Sequence, residues 1–135
     1  MFISETKIRV RYSETDQMGY VYYGNYASYY EVARVEMMRE LGVSYKEMEE
    51  RGCMMPIVEL KIKFLRPAYY DDLLKVITKV TEMPNTRMSF NYEIYNEVTG
   101  KLINTGETIL AFVNIAIRKP IKAPEWFLEL LKEKI

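Results

Sequence analysis

The chain has no histidine, a single cysteine and no net charge. Without histidine, Ser–His and Cys–His catalysis and His-ligated zinc are excluded. Cys53 alone permits neither an internal disulfide nor a cysteine-based metal cluster, and with no imidazole to activate it, it reads as a packing residue. The 19 basic and 19 acidic residues cancel, and no basic run breaks the balance, so no field favours nucleic acid or an anionic membrane. No apolar run approaches a membrane span, and the opening MFISETKIRVRY lacks the continuous apolar stretch of a signal segment. The expected setting is cytoplasmic, with neither nucleic acid nor membrane as partner. GxGxxG, GxSxG and P-loop strings are missing too. Acid–base or nucleophilic chemistry therefore falls to Asp, Glu, Tyr, Lys, Ser or Thr, with carboxylates first.

What is present is organised around one stretch, Asp16 to Leu41. A polar turn containing Gly19 and Gly24 runs into the one long helical pattern, with Tyr26, Tyr30, Ala33, Met37 and Leu41 on a common face. Tyr29 and Val32 widen that face, while Glu31, Arg34, Glu36, Arg39 and Glu40 carry charge. Asn25 is placed to cap the start and Gly42 to end the helix. Asp16 lies just ahead of the cap. An Asp in a loop most often closes an Asx turn. One facing a helix N-terminus can also attack or activate water while free amides stabilise developing negative charge.

The rest of the chain reads mainly as strands. Lys7 to Tyr12 alternates strictly, so a half-buried strand is expected there, ending just before Asp16. Ser44 and Glu47 form a capping-box pattern for a short helix reaching about Arg51. Leu60, Ile62 and Phe64 alternate with lysines until Pro67; Leu74, Val76, Thr78 and Val80 alternate next; Met88, Phe90, Tyr92 and Ile94 follow a turn at Pro84-Asn85. Thr99-Gly100-Lys101 marks a hairpin. A last strand spans Leu102 to Ile117 and is apolar on both faces from Ile109 onward. Pro124 starts an amphipathic helix with Trp126, Phe127, Leu130 and Leu131. This order predicts one α+β domain over residues 1–135, an antiparallel sheet packed on one helix. The two-faced last strand and the 12 tyrosines together call for a homodimer or homotetramer, because a lone domain would leave much apolar surface open.

The segment Asp16-x-x-Gly19-x-Val21-Tyr22-Tyr23-x-Asn25-Tyr26, followed by Glu31-x-Ala33-Arg34, resembles the active-site segment of the 4-hydroxybenzoyl-CoA thioesterase family. The resemblance continues through Pro56-Ile57-Val58, Phe64, Ala68-x-Tyr70-Asp71-Asp72-x-Leu74 and Arg87-x-Ser89-Phe90. It implies a hotdog fold, a five-stranded antiparallel sheet wrapped around one long helix. It also implies hydrolysis of an acyl-CoA substrate without metal or cofactor. In that pattern Asp16 is nucleophile or general base, and the backbone amide of Tyr23 is the oxyanion donor. Gly24, Asn25 and Glu31 border the substrate, and Arg87 and Ser89 match positions that contact the CoA nucleotide. Many relatives carry His where this chain has Tyr23, which leaves the preferred acyl group open. The Glu31–Arg34 spacing reads as an ion pair on the helix surface. Asp71 and Asp72 read as turn-shaping rather than metal-binding. The rival to an enzyme is a non-catalytic module that binds acyl thioesters in the same pocket; a dehydratase of this fold is disfavoured by the absence of His.

Overall fold

A computed structural model describes all 135 residues, Met1–Ile135. Five strands form the main antiparallel sheet: β1 (Phe2–Arg9), β3 (Ile57–Phe64), β4 (Leu73–Val80), β5 (Arg87–Asn96) and β6 (Leu102–Ala111), in the order β1-β4-β5-β6-β3. The long helix α1 (Asn25–Leu41) lies across the inner face of this sheet, which is the hotdog arrangement. Two-residue strands β2 (Cys53–Met54), β7 (Val113–Asn114) and β8 (Lys119–Pro120) make a small second sheet. Helices α2 (Tyr45–Glu50) and α3 (Glu125–Lys132) complete the domain. No helix is long and apolar enough to cross a membrane.

The inner face of the sheet follows the period-2 pattern. Leu74, Val76, Thr78 and Val80 of β4 are buried, as are Met88, Phe90, Tyr92 and Ile94 of β5. They meet the α1 face made by Tyr26, Tyr29, Tyr30, Ala33, Met37, Met38 and Leu41. Tyr30 and Tyr92 stack with centroids 4.2 Å apart and planes 5° apart, and a Cβ on Gly106 would stand 2.4 Å from the Tyr30 ring. Glycine is therefore required where the helix comes closest to β6. Gly42 ends α1 in the left-handed region at φ 96°, and Ser44 Oγ accepts from Glu47 N at 3.0 Å to cap α2. α3 docks on its own domain, with Phe127 and Leu131 buried, Phe127 against Phe112, and Trp126 under the Arg51 guanidinium.

Several expectations are corrected. The first strand is Phe2–Arg9, not Lys7–Tyr12. The chain leaves the ladder after Arg9 because Arg11 and Glu14 close a tight turn on themselves, Arg11 N donating to Glu14 Oε1 at 2.8 Å and Glu14 N to Arg11 O at 3.0 Å. The last long strand stops at Ala111, and residues beyond it enter the small sheet. Asn25 is the first helical residue; Gly24 occupies the cap position, with no side-chain cap bond. Val32 is exposed, whereas Arg34 is buried. No Glu31–Arg34 ion pair forms, because the guanidinium turns inward: Nε donates to Tyr45 Oη at 3.0 Å and Nη1 to Tyr92 Oη at 3.1 Å. Burial opposes that charge, but the surrounding tyrosines outweigh it and hold its pKa raised.

Strand β3 stands apart. It is an edge strand, and only Ile62 along its length is even half-buried. Ile57, Val58, Leu60 and Phe64 are all exposed, on both faces of the strand. Much of the apolar surface of this strand, at Ile57, Val58 and Leu60, is left open to solvent.

Candidate active site

Short-range hydrogen bonds shape the loop between β1 and α1. A 3-10 turn at Tyr12–Glu14 is followed by an antiparallel bridge between Thr15 and Val21. Inside that bridge Asp16 N donates to Tyr20 O at 3.0 Å and Gly19 N to Asp16 O at 3.0 Å, with Gly19 at φ +86° making the reversal. Val21 N donates to Ala68 O at 2.8 Å, tying the loop to the segment after β3. Asp16 Oδ1 accepts from Met18 N at 2.9 Å. The Asx turn expected of a loop Asp is therefore real, yet it engages one carboxylate oxygen and leaves Oδ2 without a partner in the chain.

Asp16 opens onto a cavity of about 320 Å³ lined mainly by apolar and aromatic groups, among them Met18, Tyr20, Val21, Tyr23, Tyr26 and Phe64. Leu65, Arg66 and Pro67 close the far wall. Rings meet edge-on across the cavity: Tyr23 and Phe64 stand 6.3 Å apart at 80°. Tyr26, buried, has its pKa pushed up to about 12, chiefly by loss of solvent. The exposed Tyr22 phenol is pushed up too, first by its neighbour Tyr23 and last by the Asp16 charge. Both hydroxyls stay protonated at neutral pH.

The start of α1 supplies the other half of the site. The amides of Tyr22, Asn25 and Tyr26 donate to Glu14 O, Tyr22 O and Tyr23 O, whereas those of Tyr23 and Gly24 donate to no acceptor in the chain. Such free amides, at the positive end of the helix dipole, favour negative charge beside them. A cavity that joins a carboxylate with a free oxygen to such an end suits attack on a carbonyl group.

The structure brings Asp16 and Tyr23 to one cavity and sets Gly24 and Asn25 beside them. Gly24 lies under the Tyr22 ring, which a Cβ would approach to 2.6 Å. The Asn25 side chain is already engaged, donating from Nδ2 to Glu14 O at 2.8 Å. Glu31 is exposed further along α1 and does not line the cavity. Arg87 and Ser89 lie in a separate hollow of about 180 Å³ with Asn91 and Glu107, outside the Asp16 cavity. Asp71 sits in the left-handed region at φ 70°, and Asp72 Oδ2 accepts from Tyr69 N at 2.9 Å, so the pair builds the turn before β4. Leu65, Arg66 and Pro67 escaped sequence reading as cavity residues. Their one signal was Pro67, which ends β3 and leaves that segment out of the sheet.

Fold and site together define a hotdog thioesterase. The profile described as "Thioesterase-like superfamily" matches residues 10–131, and the chain belongs to that superfamily. It is similar to YneP of Bacillus subtilis, provisionally named an acyl-CoA thioesterase, at 33% identity over 99% of each chain. It is also 30% identical to the acyl-CoA thioester hydrolase YbgC of Escherichia coli O157:H7, covering 87% of each. Among solved structures, a DHNA-CoA thioesterase from Staphylococcus aureus superposes with a TM-score of 0.90 at 38% identity, covering 98% of this chain and 91% of that one.

Proposed function

We propose that this protein hydrolyses an acyl-CoA thioester to the free acid and CoA, with Asp16 as nucleophile or general base and the Tyr23 amide as oxyanion donor. One observation carries the reading: a single cavity is lined both by Asp16, with an unpartnered carboxylate oxygen, and by Tyr23, whose backbone amide is unpartnered at the helix start. As a base, Asp16 takes a proton from water while the water oxygen bonds to the thioester carbon. The carbonyl oxygen becomes an oxyanion beside the Tyr23 amide; the C–S bond then breaks, and the CoA thiolate leaves and takes up a proton. As a nucleophile, Asp16 itself bonds to that carbon, the C–S bond breaks as the CoA thiolate leaves and takes up a proton, and water hydrolyses the resulting anhydride to free the acid and Asp16. In both routes the same amide meets the same charge.

The edges of Tyr20, Tyr23, Tyr26 and Phe64 favour a flat acyl group, so the preferred substrate is an aromatic acyl-CoA, in line with the Staphylococcus aureus relative. Gly24 and Asn25 border that group. The uncovered apolar β3 supports a homodimer or a tetramer built from it. In that assembly Arg87 and Ser89 meet the nucleotide of a CoA whose acyl group lies in the other subunit's cavity; Arg suits phosphate by charge and geometry.

Thiol release measured across acetyl-, palmitoyl- and benzoyl-CoA tests the activity. Hydrolysis fastest on benzoyl-CoA and indifferent to EDTA is expected. Binding of these thioesters with no hydrolysis of any would instead support the acyl-thioester-binding module. Light scattering at low micromolar concentration should give a dimer or tetramer; a clean 16.0 kDa monomer would contradict the shared site.

A further inference from the structure

The two reacting parts of the proposed site lie on different backbone segments, Asp16 on a loop and the free amides at the start of α1. Between them the chain reverses at Gly19 and is anchored at buried Val21, which bridges to Thr15 and donates to Ala68 O. Glu14 adds the bonds that reach from this loop into the helix itself. Its Oε1 accepts from Arg11 N at 2.8 Å and from Tyr29 Oη at 3.0 Å, and its Oε2 from Arg11 Nη2 at 3.0 Å. Its backbone carbonyl accepts from Tyr22 N at 2.9 Å and Asn25 Nδ2 at 2.8 Å. The first of those donors is the residue before Tyr23; Asp16 is two residues beyond Glu14. Burial pushes the Glu14 carboxyl up, but the Arg11 and Tyr29 bonds outweigh it and hold its pKa below the ordinary 4.5. Burial first, and Glu14 second, push the Tyr29 phenol up, so an anion faces a neutral donor at pH 7.

We infer that Glu14 is a positioning residue for thioester hydrolysis, clamping the Asp16 loop to the first two turns of α1 through Tyr29 and Asn25 and so setting the distance from Asp16 to the Tyr23 amide. The inference rests on the proposed role of Asp16. It also gives Asn25 a part that does not require contact with substrate. Misplacing reacting groups by about 1 Å costs on the order of a hundredfold in rate. A residue that acts this way changes kcat while substrate affinity holds, and its effect vanishes once the group it positions is disabled.

The test is a steady-state kinetic cycle on benzoyl-CoA, using Glu14→Ala, Glu14→Gln, Tyr29→Phe and Asp16→Asn alone, and Glu14→Ala combined with Asp16→Asn. Glu14→Ala is expected to lower kcat about ten- to a hundredfold with KM within about threefold. Glu14→Gln keeps an Oε1 acceptor for Arg11 N and Tyr29 and should recover most of that loss, to within about threefold of wild type. In the Asp16→Asn background the Glu14→Ala change should cost less than about twofold. Equal losses in both backgrounds, a raised KM with kcat intact, or wild-type kcat for Glu14→Ala with Asp16 present, while Asp16→Asn is inactive, would each overturn the positioning role and leave the catalytic one standing. Full activity in Asp16→Asn, or no hydrolysis by the wild type, would overturn both. Where Glu14→Ala does not fold, Tyr29→Phe carries the test: it removes one clamp bond, and a fall in kcat of about three- to tenfold with KM unmoved supports the inference, while wild-type kcat overturns it.

Discussion

Tyrosines close together on α1 and its approach end in opposite surroundings. Tyr30 is fully buried, stacked on Tyr92, with its hydroxyl 2.6 Å from Asn104 Oδ1; Tyr92 reaches Thr108 Oγ1 at 2.6 Å and Arg34 at 3.1 Å. Tyr22 and Tyr23, about two turns' length earlier, are 45% and 61% exposed, Tyr23 lining the cavity, with rings tilted by 45° to one another. In this interior the hydroxyls of Tyr92 and Tyr45 accept from a buried cation, Arg34, that has no carboxylate partner. The outer set offers ring faces and edges to whatever enters. The helix is thus rigid where it carries the fold and open where its amides are free, the division a preorganised site needs.

Four substitutions or conditions probe that division. Arg34→Ala should do most damage: it empties the space of a buried side chain and leaves the Tyr45 hydroxyl unpaired, a loss of about 3 kcal/mol. Thermal melts would read it as a large drop in Tm, and an unchanged Tm would mean the tyrosine hydroxyls do not depend on the cation. Next comes a glycine that lies under a tyrosine ring. A Cβ at Gly106 would meet the Tyr30 ring at 2.4 Å, and that ring is pinned by Tyr92, so Gly106→Ala should cost about 1–3 kcal/mol.

Acid sharpens the contrast at the loop. The folded-state pKa of Glu14 lies below its ordinary 4.5, so its stabilising contribution is present above that value and is lost as pH falls through the depressed folded pKa. Melts taken from pH 6 down to pH 3 should show Tm falling more steeply for wild type than for Glu14→Gln; parallel curves would deny the carboxylate that role. The smallest effect is expected of Gly24→Ala. Its Cβ would come within 2.6 Å of Tyr22, but that ring is exposed and can move aside, so the cost should stay below about 1 kcal/mol. If Gly24→Ala destabilised as much as Gly106→Ala, the mouth would be as rigid as the core.

The fold was legible where one chain supplies both halves of a contact. The inward faces of β4 and β5 follow the alternation residue by residue, including Thr78, and Gly42 and Ser44 do what their types predict. Reading failed where the deciding partner is distant in sequence. Arg34 carries charge and sits three residues from Glu31, so it reads as surface; its true partners are on α2 and, 58 residues away, on β5. β1 was misplaced because its inward residues include Ser4 and Thr6, which weaken the apolar period, while Lys7 to Tyr12 alternates well beyond the point where Glu14 turns the chain. The exposed face of β3 was legible as a pattern but not as an edge. Of the site, Asp16 and the helix start could be named from residue types and the family resemblance. The role of Glu14 could not, since nothing in its sequence neighbourhood shows that Tyr29 and Asn25 bond back to it.

The central claim is that the Asp16 charge performs the chemistry, and Asp16→Asn tests it most directly because it keeps size and the bond to Met18 N while removing that charge. Single-turnover hydrolysis of benzoyl-CoA by wild type, Asp16→Asn and Glu31→Gln, with melts showing each folded, compares the two carboxylates nearest the question. Asp16→Asn should lower the rate at least about a hundredfold with substrate affinity retained or improved, and Glu31→Gln by less than about tenfold. Wild-type turnover by Asp16→Asn beside an inactive Glu31→Gln would contradict the account and move the catalytic carboxylate onto α1.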